Sequence, residues 1–172
     1  EDLANKYDII AVFTRAPKPT GRKHIITPSP VTNWANARGL KVHTSIRDFD
    51  TISEKPDFII VISYGVILRD NVLNAAKCLN IHPSSLPQYR GPSPIRTAIL
   101  NGDTNIDVCL MEMTSELDAG DILLRKNITI DENDTNTDME NKVSSVAIEI
   151  LDEYLKNPGN YTAQPHLGDA CV

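Results

Sequence analysis

Two apolar, β-branched runs punctuate the first third of the chain, residues 7–14 (YDIIAVFT) and 57–63 (DFIIVIS), and neither alternates apolar with polar positions. An unalternating run of that length suits a strand covered on both faces, as in a parallel sheet. Residues 78–82 (CLNIH) form a third such run. Between these runs the pattern predicts helices over 30–39, stopped by Gly39, and over 69–77. Strand–helix alternation at this spacing predicts an α/β fold: an open, mostly parallel Rossmann-like sheet with helices on both faces.

Further along, residues 93–101 (SPIRTAILN) read as a helix with Ser93 as N-cap and Pro94 in its first turn, ending before Gly102. Residues 108–113 and 122–130 read as two strands around the turn SELDAGD. Apolar residues at Met139, Val143, Val146, Ile150 and Leu151 have helical spacing, which predicts a helix over 135–155 docked on the sheet. Residues 157–172 are turn-rich and read as an irregular tail. Residues 15–30 (RAPKPTGRKHIITPSP) carry four prolines, one glycine and four Lys/Arg, with no strand or helix pattern. A loop of that length in a compact domain is usually functional or mobile.

Composition narrows the class. A chain of 172 residues with 41% hydrophobic content suits one domain with a sizeable core. Its three cysteines, Cys78, Cys109 and Cys171, have no CxxC spacing, and the four histidines have no ligand spacing, so neither a disulfide framework nor a metal site is expected. A reducing cytosol is the expected setting. The net charge of −6 hides an asymmetry: residues 9–47 hold no Asp or Glu and seven cations, leaving −13 for the rest. That basic stretch reads either as a phosphate-binding face or as a solvated surface.

The chemistry concentrates at the end of the third run. In open α/β sheets ligands bind outside the carboxyl ends of the strands. Asn80 and His82 share parity, so in a strand both point to one face, and Pro83 forces an extended exit. An amide can donate to a developing oxyanion, and an imidazole beside a carboxylate can hold or relay a proton. Asp118, in the acidic turn 36 residues downstream of His82, is the candidate carboxylate. Core residues satisfied by backbone groups are the alternative reading for the pair, and an Asx-turn for Asp118. Ser84 or Ser85 with His82 would make a nucleophilic pair, but no GxSxG elbow surrounds them.

The series NIHPSSLPQYRGPSPI…AILNGD…LDAGDIL resembles the folate-dependent formyltransferases, whose signature joins Asn-x-His, a Ser-Leu-Leu-Pro-like turn, Arg-Gly and Leu-Asp-x-Gly-Asp. Among them the chain is most similar to those that formylate methionyl-tRNA. GPSPI resembles their Gly-Ala-Ala-Pro-Ile text, FTRAPKPTGRKHIITPSPV their basic loop, and VISYG their Ala-Tyr-Gly. The resemblance spans nearly the whole chain.

It implies transfer of a formyl group from 10-formyltetrahydrofolate to the α-amine of initiator methionyl-tRNA, by a monomer in a bacterial cytosol or organelle matrix, with no metal and no membrane. Asn80, His82 and Asp118 would be catalytic. Ile62, Ser63, Tyr64, Gly65, Ser84, Ser85, Leu86 and Pro87 would bind the folate, largely through backbone groups. Arg15, Lys18, Arg22 and Lys23 would contact tRNA. It also implies that residues 1–156 are a catalytic domain incomplete at its N-terminus, followed by a tail or linker over 157–172 toward a missing C-terminal domain. Three rival readings are a formyltransferase acting on glycinamide ribonucleotide or a sugar amine, a formyltetrahydrofolate hydrolase, and an inactive binding fragment.

Overall fold

The computed structural model describes residues 2–166 and Gly168; Cys171 and the rest of the extreme tail lie outside the described residues. The chain divides into two compact units, residues 1–57 and 58–172.

In the first unit only Val12–Phe13 (β1) of the first apolar run pairs as a strand, parallel to Val42–His43 (β4). The segment read as patternless holds a hairpin, Lys18–Thr20 (β2) against Ile25–Thr27 (β3). Gly21 at φ +65° turns the chain, and the Thr20 and Thr27 hydroxyls lie 2.6 Å apart across the ladder. A two-stranded ribbon has only free outer edges, where proline does no harm to the ladder, so the proline count misled. Helix α1, Pro30–Ala37, starts as expected: Ser29 Oγ accepts from Thr32 N at 3.0 Å, and Gly39 follows its end in the left-handed region. A 3-10 turn over Ile46–Thr51 closes the unit.

The second unit is built on a four-stranded open sheet in the order β5–β6–β7–β8: Phe58–Ile62 (β5), Lys77–His82 (β6), Asn105–Glu112 (β7) and Ile122–Thr129 (β8). β5 and β6 are parallel, whereas β7 and β8 run antiparallel to their neighbours. The helix expected over 69–77 shrinks to one turn, Asp70–Leu73 (α2). Lys77 pairs with Phe58 in the sheet and with Glu112 at 2.7 Å, so sheet pairing wins over helix propensity there. Helix α3, Pro94–Asn101, has Ser93 at its N-cap without a side-chain cap bond and ends on Gly102 at φ +75°.

Helix α4, Asn136–Lys156, opens with a capping box between Thr135 and Asp138, an arrangement worth about 1 kcal/mol. It packs against β7 and β8 through Met139, Val143, Ala147, Ile150, Leu151 and Tyr154. Burying each large apolar side chain of this kind contributes roughly 1.5–3 kcal/mol. Every residue of β7 from Ile106 to Met111 is buried, because the other face is also covered: Leu86, Cys109, Met111 and Ile122 form one apolar cluster. A bulge between Leu110 and Met111, against Ile122–Leu124, bends the hairpin where the acidic turn begins. Beyond α4, a 3-10 turn over Pro158–Asn160 leads to Gln164, which exchanges two 2.8 Å backbone bonds with Ile122.

Candidate active site

β6 ends on the pair singled out by parity. His82 is 5% exposed and Asn80 half-buried, and both meet Asp118 from the β7–β8 turn. Asn80 Nδ2 donates to Asp118 Oδ1 at 3.4 Å, and His82 Nδ1 lies 3.7 Å from Asp118 Oδ2. The Gly91 amide donates to Asp118 Oδ2 at 2.8 Å. His82 Nε2 lies 2.9 Å from the Tyr89 carbonyl, which only accepts, so Nε2 carries the proton. That contact fixes the tautomer and leaves Nδ1 as the ring atom free for chemistry. Asn80 has one amide N–H committed to Asp118 and a second one uncommitted.

Backbone conformation holds this corner. Tyr89 and Asp118 sit at φ +57° and +46°, a region unusual for residues other than glycine and tolerated best by Asn and Asp. Such outliers persist where surrounding contacts over-determine them, often at functional sites. Gly120 allows the acidic turn to lie on β7: a Cβ there would overlap the Glu112 carbonyl oxygen. Arg90 spans to Glu116, Nη1 to Oε1 at 3.5 Å, tying the Arg-Gly segment to the same turn.

The residues expected to bind folate fall on two adjacent strand ends. Ile62 is opposite Ile81 in the β5–β6 register, so Ser63, Tyr64 and Gly65 leave the sheet beside His82. Ser63 and Gly65 both take positive φ, +48° and +67°, and Ile62 is exposed. The side chains of Ser84, Ser85 and Leu86 are engaged with the protein. Ser84 Oγ donates to the Gln88 carbonyl at 2.7 Å, Ser85 Oγ accepts from Asp107 N at 3.2 Å, and Leu86 is 2% exposed. Only backbone of that turn is left to meet a ligand, with Pro87 at its end.

Arg15, Lys18, Arg22 and Lys23 are all exposed in the first unit, the last three on the β2–β3 hairpin, beside exposed Ile25 and Ile26. Trp34 is half-buried under the Arg38 guanidinium, 4.5 Å from the ring centre. Among the described residues no three or more His, Cys, Asp or Glu side chains gather as a metal ion requires. No helix there is long and apolar enough to cross a membrane.

Sequence reasoning missed the Tyr89 carbonyl and the Gly91 amide. Backbone partners leave no mark in residue type, although the glycine in YRG was a hint. It also missed His166, whose ring lies near the acidic turn. Burial lowers its pKa from the ordinary 6.5, the Arg90 charge adds to this, and the Gly120 carbonyl opposes it. The unfolded chain therefore binds this proton more readily, so the contribution to stability is present above pH 6.5 and lost as pH falls through the depressed value. Between pH 7 and 5 the melting temperature is expected to fall further for the natural protein than for His166→Gln, measured in parallel thermal scans. Parallel curves for the two would contradict this.

Comparison with known proteins gives a consistent picture. Residues 2–155 match the formyl transferase family model. The chain is 42% identical over 163 residues to methionyl-tRNA formyltransferase of Ehrlichia ruminantium (strain Gardel), covering 90% of this chain and 54% of that protein. It thus spans about half the length of this curated relative. Phosphoribosylglycinamide formyltransferase from Streptococcus pneumoniae TIGR4 has the same fold, with a TM-score of 0.72 at 19% identity over 90% of this chain and 88% of that one. HypX from Aquifex aeolicus, solved in complex with tetrahydrofolic acid, matches at a TM-score of 0.64 and 26% identity over 77% of this chain and 25% of that one.

Proposed function

The chain belongs to the formyl transferase family, and on that premise we propose that the protein moves a formyl group from 10-formyltetrahydrofolate to the α-amine of methionyl-tRNA. The observation that carries the reading is the meeting of Asn80, His82 and Asp118 at the end of β6. The folate side rests on the strand-end backbone at Ile62 to Gly65 and on residues 84–87, of which the Ser84, Ser85 and Leu86 side chains are already engaged with the protein. Polar edges of a planar ring meet such exposed amides and carbonyls readily. The greatest identity among these relatives, to the methionyl-tRNA enzyme, favours tRNA as the acceptor over a nucleotide or sugar amine.

The chemistry follows from the free atoms. As the amine attacks the formyl carbon, negative charge grows on the formyl oxygen. The second N–H of Asn80 and a protonated His82 Nδ1 are the donors for it. One such donor typically contributes about 2.7–4 kcal/mol to the barrier. Asp118 Oδ2 stands 3.7 Å from that ring nitrogen and orients it toward the reacting carbon. The same carboxylate accepts the amine's proton, and His82 Nδ1 returns one to the departing nitrogen. No covalent enzyme intermediate is required.

The tRNA side rests on Arg15, Lys18, Arg22 and Lys23, whose exposure suits phosphate contact. Arg22→Ala is expected to weaken methionyl-tRNA binding and to flatten the slope of log affinity against log salt by about 1, with tetrahydrofolate affinity unchanged. A filter-binding salt series reads this, and an unchanged slope would remove the hairpin from the interface. The acceptor itself is tested by offering the complete protein methionyl-tRNA and glycinamide ribonucleotide together. Formylation of the small amine alone would overturn the proposal.

A further inference from the structure

Resting on that reading of residues 84–87 as the folate-binding turn, we infer that Arg125 is a positioning residue that sets this turn through a fork to Asp107 and the Leu86 carbonyl. Arg125 stands on β8, away from the acidic turn, and touches none of the proposed reacting groups. Its Nη1 donates to Asp107 Oδ2 and its Nη2 to the Leu86 carbonyl, each at 3.1 Å. One guanidinium thus bridges a strand carboxylate and the backbone of the turn. A planar fork suits two acceptors held at fixed separation, which a lysine ammonium cannot match.

Further anchorage reaches Ser84 and Ser85 of the same turn and the Asp107 carboxylate. Asp107 N donates to Ser85 Oγ at 3.2 Å, and Cys109 Sγ donates to the Ser84 carbonyl at 3.2 Å. The Cys109 thiol keeps its proton, because burial pushes its pKa up to about 11. Asn127 Nδ2 holds the other oxygen of Asp107 at 2.8 Å, so the buried carboxylate stays aimed at Arg125. Asp107, Cys109 and Met111 alternate along β7 and face the turn, and Leu86 fills the apolar cluster between them. The turn's carbonyls therefore take their position from β7 and β8. Arg125 reaches the carbonyl of the Leu86–Pro87 peptide itself.

The expected result of Arg125→Met is a rise on the order of tenfold in KM for 10-formyltetrahydrofolate, the size of one charge-assisted hydrogen bond, with kcat within about twofold and KM for methionyl-tRNA unchanged. A merely structural role would lower kcat for both substrates together in step with the folded fraction. Arg125→Lys keeps a charge beside Asp107 but not the fork. It is expected to show part of the same rise, and it serves as the test if the methionine variant does not fold. Calorimetric titration of the complete protein with tetrahydrofolate accompanies the kinetics. Wild-type protein that binds no tetrahydrofolate would overturn both the folate reading and this inference. Tight wild-type binding with unchanged KM in folded Arg125→Met or Arg125→Lys would overturn the inference alone.

Discussion

Asp118→Asn is expected to slow formyl transfer by roughly two to four orders of magnitude, the usual range for losing a proton-handling group, while the fold survives. Asparagine is the residue that best keeps the local shape. It tolerates the left-handed φ of +46°, and its oxygen can still accept from the Gly91 amide. What disappears is the charge. The Tyr89 carbonyl holds the His82 proton on Nε2, so Nδ1 of the neutral ring is an acceptor. With its oxygen kept at the Gly91 amide, the new amide nitrogen takes the Oδ1 place and faces Asn80 Nδ2, donor against donor. The carboxylate that accepts the amine's proton is gone. The structure also separates this from a packing effect. Asp118 lies on a surface turn with its side chain 12% exposed, outside the apolar cluster. Steady-state transfer and thermal unfolding on one preparation check both halves. Near-normal kcat in a folded Asp118→Asn protein would remove Asp118 from the chemistry.

Gly120→Ala is expected to be among the most damaging single-methyl additions in the chain. The added Cβ would occupy the position of the Glu112 carbonyl oxygen and crowd the carbonyl carbon at 2.8 Å. Both are main-chain atoms of β7, held by the bond from Glu112 N to the Asp121 carbonyl at 2.9 Å. Neither can swing aside as a side-chain tip would, so the turn and the strand must separate. Overpacking costs typically 1–3 kcal/mol and more where backbone must move. A loss of roughly 3 kcal/mol would lower the melting temperature by about 6–12 °C at this size. Gly159→Ala, with open space around it and no left-handed φ, is the control expected to be near neutral. Equal melting temperatures for the two variants would contradict the close approach. Because the separated turn carries Asp118, transfer should fall with stability in Gly120→Ala.

The elements that were legible in sequence are those whose order is local. Helix α1 begins at Pro30 as expected and α4 within one residue of its expected start. Gly39 and Gly102 stop α1 and α3 in the left-handed region, whereas Ser93, the N-cap the pattern named, makes no side-chain cap bond. The parity of Asn80 and His82 survives intact, since a strand's alternation needs no partner to be read. What was not legible depended on pairing. Only two residues of the 7–14 run pair, and Lys77 joined the sheet instead of a helix because Phe58 lies opposite it. The 18–27 hairpin was hidden by prolines that an outer edge tolerates. The alternative readings of the strand-end pair, as core residues held by backbone, contain part of the geometry. His82 does meet a backbone carbonyl, and that bond is what frees Nδ1. The serines beside it are engaged with Gln88 and Asp107, which leaves no nucleophile next to the imidazole.

The central claim is that the corner formed by Asn80, His82 and Asp118 is where the formyl group changes hands. Single-turnover transfer of labelled formyl from 10-formyltetrahydrofolate to methionyl-tRNA, by the complete protein and by its His82→Ala variant, tests it most directly. The expected result is formyl-methionyl-tRNA from the natural protein and essentially none from the variant, with tetrahydrofolate still bound by both. Transfer by His82→Ala at the natural rate would contradict the claim.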